Sequence, residues 1–294
     1  MANYSIKDLE NLSGVKAHTI RIWEKRYRLV TPTRSDTNIR SYSGADLRKI
    51  INAALLNNHG VRISRIAAMS PEALNQQVKK LAETEQPSAF NVEQLIVATI
   101  DLDERRFEKV FKTLVLQVGF EETMTEAVLP FLQKVGTLWQ TEAITPVHEH
   151  FVSNLIRQKL IAAIDDLPLA TKDARKAIHF LPEGEWHELG LLFAHYITLK
   201  MGWRSFYLGQ SVPYQDLKAV VSLHDPGLLV TCITIPLAEQ TVTDYMNRLS
   251  HDFPQCTILI SGRQADVTGT RSTRVKVFNT PVLLRKYIEE GAQC

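Results

Sequence analysis

The amino-acid sequence predicts three domains of different fold class: a winged helix-turn-helix head, a four-helix bundle and a doubly wound α/β domain. Three observations support this. The first 80 residues are strongly basic, residues 90–167 carry four amphipathic helical patterns, and apolar runs alternate with helical patterns after residue 175. A chain of 294 residues is long enough for two or three domains. The predicted domains are residues 1–80, 86–170 and 175–294.

The composition of the whole chain argues against a membrane or secreted protein. Apolar residues make up 45% and charged residues 22%, which is typical of globular proteins. No apolar run approaches the roughly 18 residues of a membrane span, and the N-terminus lacks a secretory signal. Three widely spaced cysteines, Cys232, Cys256 and Cys294, fit a reducing compartment without disulfides or paired zinc ligands. We therefore expect a cytoplasmic protein.

The net charge of +2 hides an asymmetry along the chain. Residues 1–80 carry 14 Lys and Arg against 6 Asp and Glu, a balance of +8, and the remainder has a balance of −6. A basic head on an acidic body indicates that the head binds a polyanion.

The elements of the head follow in a defined order. Residues 4–14 form a short helical pattern with Ser5 as its cap, and Gly14 supplies a tight turn. A second helix is predicted over residues 16–27, with Ile20 and Trp23 on its apolar face. Residues 32–42 are polar and rich in arginine, which suits a β-hairpin wing, and a third helix begins after Ser43. Two short helices joined by a glycine turn are typical of a helix-turn-helix motif.

Taken singly, the basic residues of the second helix could be a solvated face. The complete order, however, closely resembles the winged-helix DNA-binding domain of the MerR family over about residues 3–75. That resemblance implies that Ile20 and Trp23 belong to the core. It also implies double-stranded DNA as the partner of the second helix and wing, through His18, Thr19, Arg21, Arg26, Arg40 and Tyr42.

The middle segment reads as a linker followed by a helical bundle. Residues 82–89 are polar and contain Pro87, and the four helical patterns after them predict a four-helix bundle. Trp139, Glu149 and His150 allow two interpretations. They are either a core aromatic and a helix cap, since an acidic residue is favoured at a helix N-terminus, or part of a ligand site.

The third domain alternates apolar runs with helical patterns, as parallel doubly wound sheets do. Its apolar runs are 177–181, 205–208, 227–235, 257–260 and 275–277. Its helical patterns are 189–201, 214–221, 237–249 and 281–290, and turns are predicted at 209–213 and 261–262. A ligand crevice should lie beyond the carboxyl ends of the strands.

The segment Glu185-x-His187-x-x-Gly190 lies at the first of these strand-to-helix corners. A histidine there points out of the sheet edge, and the carboxylate two residues earlier can accept the proton of one ring nitrogen. The other nitrogen can then bind a metal. The alternative interpretation is a capped helix start.

This segment and two later ones are similar to the flavodoxin-like cobalamin-binding domain, whose pattern is D-x-H-x-x-G, S-x-L and G-G. The counterparts here are Glu185-x-His187-x-x-Gly190, Thr231-x-Ile233 and Ser261-Gly262. Glu replaces Asp, Thr replaces Ser, and Ser replaces the first Gly. At the second position, the match can also shift by one residue onto Cys232. The similarity implies that His187 is the lower cobalt ligand, that Glu185 orients it, and that small residues make room for the nucleotide tail.

The whole chain resembles the CarH/LitR group of light-responsive, B12-dependent repressors. That group carries a W-x9-E-H motif, and here Trp139 is followed by residues 140–148 and then Glu149-His150. The resemblance implies adenosylcobalamin as cofactor, with Trp139 and Glu149 shielding its adenosyl group. The same resemblance implies that His150 becomes the upper cobalt ligand after illumination. It further implies a homo-oligomer, a tetramer in the dark, that binds a DNA operator and is not an enzyme.

Three alternatives remain open at this point. The first is a B12-independent regulator that keeps the fold, motivated by Thr231 and Ser261. The second is a corrinoid enzyme or methyl carrier, which shares the bundle and sheet but does not explain the basic head. The third is a MerR-type sensor of another ligand, such as a bilin or a flavin. A test of DNA binding distinguishes the corrinoid enzyme or carrier from the regulators. The visible spectrum of the purified protein distinguishes a cobalamin sensor from a B12-independent regulator and from a sensor of a bilin or flavin.

Overall fold

The computed structural model describes residues 3–34, 39–84, 88–140, 144–238, 240–265 and 272–291. The chain divides into two compact units, Met1–Ser153 and Asn154–Cys294, called unit 1 and unit 2 below. Among the described residues, none of the helices combines the length and apolar character that a membrane span requires.

Unit 1 begins with the head. Its helices are α1 (Ile6–Ser13), α2 (Ala17–Tyr27), α3 (Gly44–Asn58), α4 (Ile63–Ala67) and α5 (Pro71–Thr84). Its strands are β1 (Asn3–Tyr4), β2 (Thr33–Arg34) and β3 (Arg40–Ser43), which form an antiparallel sheet in the order β1-β3-β2. The predicted helix-turn-helix and wing are confirmed. The middle of the predicted wing, residues 35–38, lies outside the described residues.

Local chemistry explains where the helices of the head begin and end. Ser5 and Ser43 each form a capping box with the aspartate three residues later, so the first orphan backbone N–H groups find partners. Gly14 ends α1 with a φ of 71°, a left-handed conformation that glycine adopts at little cost. Ile20 and Trp23 face the core with 0% and 5% of their surface exposed, as predicted.

The second part of unit 1 is helical. It contains α6 (Ser88–Ile100), α7 (Glu104–Val118), α8 (Phe120–Thr123), a π-helical turn (Met124–Val128), α9 (Leu129–Gln140) and the first part, up to Ser153, of α10 (Pro146–Asp165). With α8, the π turn and α9 forming one segment, these are the four predicted helical segments. The linker predicted over residues 82–89 is wrong at both ends, because α5 extends to Thr84 and α6 starts at Ser88. Ala82 and Glu83 are good helix formers, and residues 85–87 lie outside the described part.

The head and the helices after it pack as one unit. Arg48 of α3 donates to Asp101, at the end of α6, at 2.6 Å. The predicted boundary between residues 80 and 86 is therefore not a boundary between compact units. The division falls instead within α10, after Ser153.

Unit 2 is a parallel doubly wound domain, as predicted. Its strands are β4 (Lys176–Pro182), β5 (Arg204–Val212), β6 (Leu228–Cys232), β7 (Thr257–Ser261) and β8 (Val275–Val277). Its further helices are α11 (Leu189–Lys200), α12 (Tyr214–His224), α13 (Val242–Asp252) and α14 (Pro281–Gly291). The strand order is β5-β4-β6-β7-β8 and every pair is parallel. The chain passes from β4 to β5 on one side and then crosses back to β6 on the other side of β4. The strand order therefore reverses between β4 and β6, and the ligand crevice is expected where these two strands end.

Two element boundaries differ from the prediction. Residues 209–213 were predicted as a turn, but β5 continues to Val212 because its pairing with β4 resumes after register shifts, with Phe180 opposite Gly209. The helix predicted from Leu237 begins at Val242. The hydroxyl of Thr241 caps this helix by accepting a hydrogen bond from the backbone N–H of Asp244 at 3.1 Å. The helix therefore begins five residues after the predicted start.

Candidate functional site

The outer face of α2 presents the predicted DNA-binding residues. His18, Arg21 and Arg26 are exposed, and Thr19 is half-buried with its hydroxyl 3.3 Å from Nε2 of His18. Because Ile20 and Trp23 occupy the opposite face, this surface is available to a polyanion.

The wing is attached to α2 through Glu24. Its carboxylate accepts from Nε of Arg40 at 3.2 Å and from the hydroxyl of Tyr42 at 3.1 Å, and Arg34 lies at 3.9 Å. Arg40 is half-buried in this contact and holds the wing in place. Burial, followed by the charge of Glu24, raises the pKa of Tyr42 to about 12.

The predicted DNA contact of Tyr42 does not agree with the structure. Only 1% of its surface is exposed, because the ring fills the core between β3 and α2 and the hydroxyl is used by Glu24. We therefore assign Tyr42 to the core of the head.

Replacing Tyr42 by phenylalanine is expected to lower the free energy of unfolding by about 1–2 kcal/mol, because the hydrogen bond to Glu24 is lost while the ring remains. DNA affinity and its salt dependence, measured below the unfolding transition, should stay unchanged. Tyr27→Phe on the same helix is the control. A DNA affinity clearly lower in Tyr42→Phe than in Tyr27→Phe would restore the DNA-contact interpretation, because a lost phosphate contact of an uncharged hydroxyl weakens binding.

The residues of the W-x9-E-H motif lie at the end of α9 and the start of α10. Trp139 is 50% exposed, which rules out the core-aromatic interpretation, whereas its neighbour Leu138 is buried. Glu149 lies in the first turn of α10, where it accepts from Oγ of Ser153 at 2.5 Å and lies 3.0 Å from Nδ1 of His150. The largely exposed imidazole of His150 therefore has a carboxylate partner.

In unit 2, Glu185 and His187 follow β4 at the edge of the sheet. Oε1 of Glu185 lies 2.6 Å from Nδ1 of His187 and also accepts hydrogen bonds from the backbone N–H groups of Trp186 and His187. Oε2 accepts the backbone N–H groups of Thr234 and Ile235 at 2.6 and 3.1 Å. The fully buried carboxylate therefore joins the loop after β4 to the loop after β6.

Electrostatics keeps this carboxylate ionised. Burial alone raises the pKa of Glu185, but the hydrogen bonds from His187, Thr234 and Ile235 outweigh it and lower the pKa to about 2. A carboxylate that accepts the Nδ1 proton leaves a lone pair on Nε2, the arrangement found around metal-bound histidines. The side chain of His187 is 53% exposed.

The remaining predicted residues line the ends of β6 and β7. Thr231 and Ile233 are fully buried, and Oγ1 of Thr231 has no hydrogen-bond partner within the described part of the chain. A Cβ at Gly190 would lie 3.4 Å from Sγ of Cys232. At Gly262, where φ is 102°, a Cβ would lie 2.3 Å from the carbonyl oxygen of Ile233. Ser261 ends β7 opposite Cys232.

Sequence reasoning missed a buried polar cluster between β4, β5 and α11. Oγ of Ser205 lies 2.8 Å from Nδ1 of both His179 and His195, and Nε2 of His179 lies 3.2 Å from Oγ1 of Thr198. Nothing in the sequence distinguishes these histidines from ordinary strand and helix residues. Burial lowers the pKa of His195 to about 4 and that of His179 well below its usual value of 6.5.

The depressed pKa values predict acid sensitivity of unit 2. The unfolded chain takes up these protons near pH 6.5 and the folded chain does not, so the stabilising contribution is complete above pH 6.5 and is lost as the pH falls toward 4. Each histidine should remove about 1.4 kcal/mol per pH unit in that window.

Urea unfolding at a series of pH values measures this slope. The variant His195→Asn keeps a hydrogen-bond donor for Ser205. It should reduce the slope of the unfolding free energy against pH by about 1.4 kcal/mol per pH unit, which corresponds to one proton. An identical slope in wild type and variant would contradict the assignment.

Two family models match the chain. The MerR HTH family regulatory protein model covers residues 4–72, and the B12 binding domain model covers residues 92–163. The chain is 30% identical over 259 residues to the HTH-type transcriptional repressor CarH of Myxococcus xanthus, covering 86% of each chain. It is 28% identical over 216 residues to the repressor CarA of the same organism, covering 72% of this chain and 70% of CarA.

The fold is also similar to a solved structure. The monomethylamine corrinoid protein of Methanosarcina barkeri superposes with a TM-score of 0.53 at 17% identity, covering 74% of this chain and 99% of that one. Fold and site together define a MerR-type regulator that carries a B12-binding domain. At this identity and coverage, the chain belongs to the family of transcriptional repressors that includes CarH and CarA.

The residues at the sheet edge fit a cobalamin. The pair formed by Glu185 and His187 offers an exposed imidazole with a fixed tautomer as a cobalt ligand. The buried hydroxyl of Thr231 has no partner in the described chain, and it would gain one from a polar group of the nucleotide tail. Gly262 keeps the backbone approach to Ile233 open.

Proposed function

We propose that this protein is a transcriptional repressor that binds operator DNA and senses light through adenosylcobalamin. The observation that carries the proposal is the contact between Glu185 and Nδ1 of His187 at the carboxyl end of β4. It is supported by family membership and by the exposed Trp139 ahead of Glu149 and His150.

In this proposal His187 would hold the cobalt as its lower ligand, and Glu185 would hold the ring and stabilise the positive charge that metal binding adds to the imidazole. The five hydrogen bonds of Glu185 prevent the loop after β4 from moving independently of the loop after β6. The lower ligand is therefore preorganised, so that little ordering of the chain is needed on binding.

Bound adenosylcobalamin supplies a cobalt–carbon bond that visible light breaks. Trp139 and Glu149 cover the adenosyl group in the dark, and the half-exposed indole provides apolar area for this contact. His150 would supply an imidazole to the cobalt once the adenosyl group has been lost. Before then, its pairing with Glu149 keeps the ring near the start of α10.

DNA binding follows from the basic face of α2 and from the wing. His18, Thr19 and Arg21 lie at the start of this face and Arg26 near its end, and each phosphate contact adds to the salt dependence. In the dark, loaded protomers assemble into a homo-oligomer, a tetramer, whose linked heads bind repeated half-sites with higher affinity than one head. Light dissolves the assembly and releases the DNA.

The test combines size-exclusion chromatography with DNA binding. Protein loaded with adenosylcobalamin is analysed in the dark and after green light, together with retardation of a DNA fragment from its own promoter region. We expect later elution and release of DNA after illumination. Protein loaded with hydroxocobalamin, which lacks the adenosyl group, is the control and should not respond. An unchanged elution position for the adenosyl form would rule out the light switch.

A second candidate function is a regulator of the same fold that works without cobalamin. The identities of Thr231 and Ser261 favour it, because each is one step larger than the Ser and Gly of the cobalamin-binding pattern and so reduces the space for the nucleotide tail. A protein that retards DNA but takes up no corrinoid, as judged by its visible spectrum after incubation and desalting, would support this candidate.

A further inference from the structure

We propose that Arg157, Glu188 and Tyr207 form a latch that couples helix α10 to the loop carrying His187. The inference rests on the proposed role of His187 as a cobalt ligand and identifies residues that position it without touching the cofactor. All three residues belong to unit 2, and they come from α10, the start of α11 and β5.

Glu188 directly follows His187 and stands at the N-cap position of α11. Asp, Asn, Ser and Thr are the side chains that commonly cap a helix at this position, and the side chain of Glu188 makes no capping hydrogen bond to α11. Its side chain accepts from Nε of Arg157 on one oxygen and from the hydroxyl of Tyr207, at 2.8 Å, on the other. Its backbone carbonyl accepts from Leu192 at 2.8 Å, which begins α11.

Tyr207, the residue of the latch on β5, is fixed by contacts within unit 2. The ring of Tyr207 packs against His195 with a centroid distance of 5.2 Å, and His195 is in turn bound to Ser205. Burial, together with the hydrogen bond to Glu188, raises the pKa of Tyr207, so that its hydroxyl remains a donor. The position of Glu188 relative to the sheet is therefore defined.

The other side of the latch is exposed. The side chain of Arg157 is 48% exposed, whereas that of Glu188 is only 6% exposed. A buried carboxylate depends strongly on its cationic partner, and removing the partner leaves an uncompensated charge. If Arg157 moves away with α10, Glu188 must turn toward water and will move the adjacent backbone of His187.

This arrangement gives α10 a route to the lower ligand. The same helix carries Glu149 and His150 near its N-terminus, two turns before Arg157. A displacement of α10 would therefore reach His187 through Glu188, and binding at His187 would in turn bias the position of α10. Such coupling is reciprocal for binding affinities.

The test uses Arg157→Met, Arg157→Lys and Glu188→Gln in the full chain. Lys218→Met is the matched control, because Lys218 forms a half-exposed ion pair with Asp252, at 3.0 Å, elsewhere in unit 2. Two quantities are measured: hydrogen exchange of the backbone amides of residues 186–192 without cofactor, and the dissociation constant of hydroxocobalamin with its visible spectrum. A thermal melt verifies folding of each variant.

Arg157→Met should speed amide exchange in residues 186–192 and weaken hydroxocobalamin binding roughly 10- to 100-fold, the range for residues that orient metal ligands. Arg157→Lys should restore most of the slow amide exchange and most of the affinity for hydroxocobalamin. Glu188→Gln, which keeps the contact with Tyr207, should give values between those of wild type and Arg157→Met. Exchange and affinity in Arg157→Met equal to those of Lys218→Met would overturn the latch. If the wild type binds no hydroxocobalamin, the proposed function fails, and the exchange measurement still decides the latch.

Discussion

Replacing Gly262 by alanine is expected to destabilise unit 2 by about 4 kcal/mol or more. Two costs combine. The φ of 102° is a conformation that side chains rarely adopt, and a Cβ would stand 2.3 Å from the carbonyl oxygen of Ile233 and 2.8 Å from its nitrogen. These are backbone atoms, and both are tied to neighbours by hydrogen bonds. The nitrogen of Ile233 donates to Ser261 at 2.8 Å, and its oxygen accepts from Gln264 at 3.0 Å.

The measurement is urea unfolding followed by a probe of unit 2. Gly227→Ala, just before β6, is the matched control, because a Cβ there meets nothing within 4 Å and its φ is ordinary for side chains. It should change the stability by less than about 1 kcal/mol. Equal stabilities of the two variants would contradict the argument that the backbone conformation and the contact with Ile233 require a glycine at position 262.

Replacing Glu185 by alanine is expected to lower the free energy of unfolding by about 3 kcal/mol or more. The side chain is fully buried and accepts hydrogen bonds from Trp186, His187, Thr234 and Ile235, so its removal breaks four hydrogen bonds to a charged group and separates the loop after β4 from the loop after β6. The same change frees the imidazole of His187 and should weaken cobalamin binding about 10- to 100-fold.

Glu185→Gln separates the two roles of this carboxylate. One amide oxygen can still accept from His187, but the NH2 group then faces the N–H groups of Thr234 and Ile235. We expect most of the stability loss of the alanine variant and a smaller loss of affinity. Unfolding curves and hydroxocobalamin titrations measure the two effects. An alanine variant as stable as the wild type would contradict the bridging role of Glu185.

Most of the fold could be predicted because its signals are local. Ser5, Gly14 and Ser43 mark the ends of the helices of the head, and the apolar runs of the sheet correspond to its five strands. The errors arose where tertiary pairing overrides a local signal. Gly209 suggested a turn but lies in β5, because β4 supplies a partner strand on one side.

The candidate site was predictable in part. Glu185 and His187 are two residues apart, and their contact follows from the position of the corner between β4 and α11. The contact of Arg157 with Glu188 joins residues 31 positions apart, so no spacing rule could indicate it. Tyr42 was misassigned because its motif occurs on a wing, where sequence alone does not separate the buried from the exposed face of a short strand.

The central claim, that His187 binds the cobalt of a cobalamin, is tested most directly by the visible spectrum of the loaded protein. Wild type and His187→Ala are incubated with adenosylcobalamin in the dark and desalted. We expect wild type to show the spectrum of a cobalamin whose own base is displaced by a histidine, and His187→Ala to lose that signature. The same spectrum in both proteins, or no bound corrinoid in the wild type, would contradict the claim.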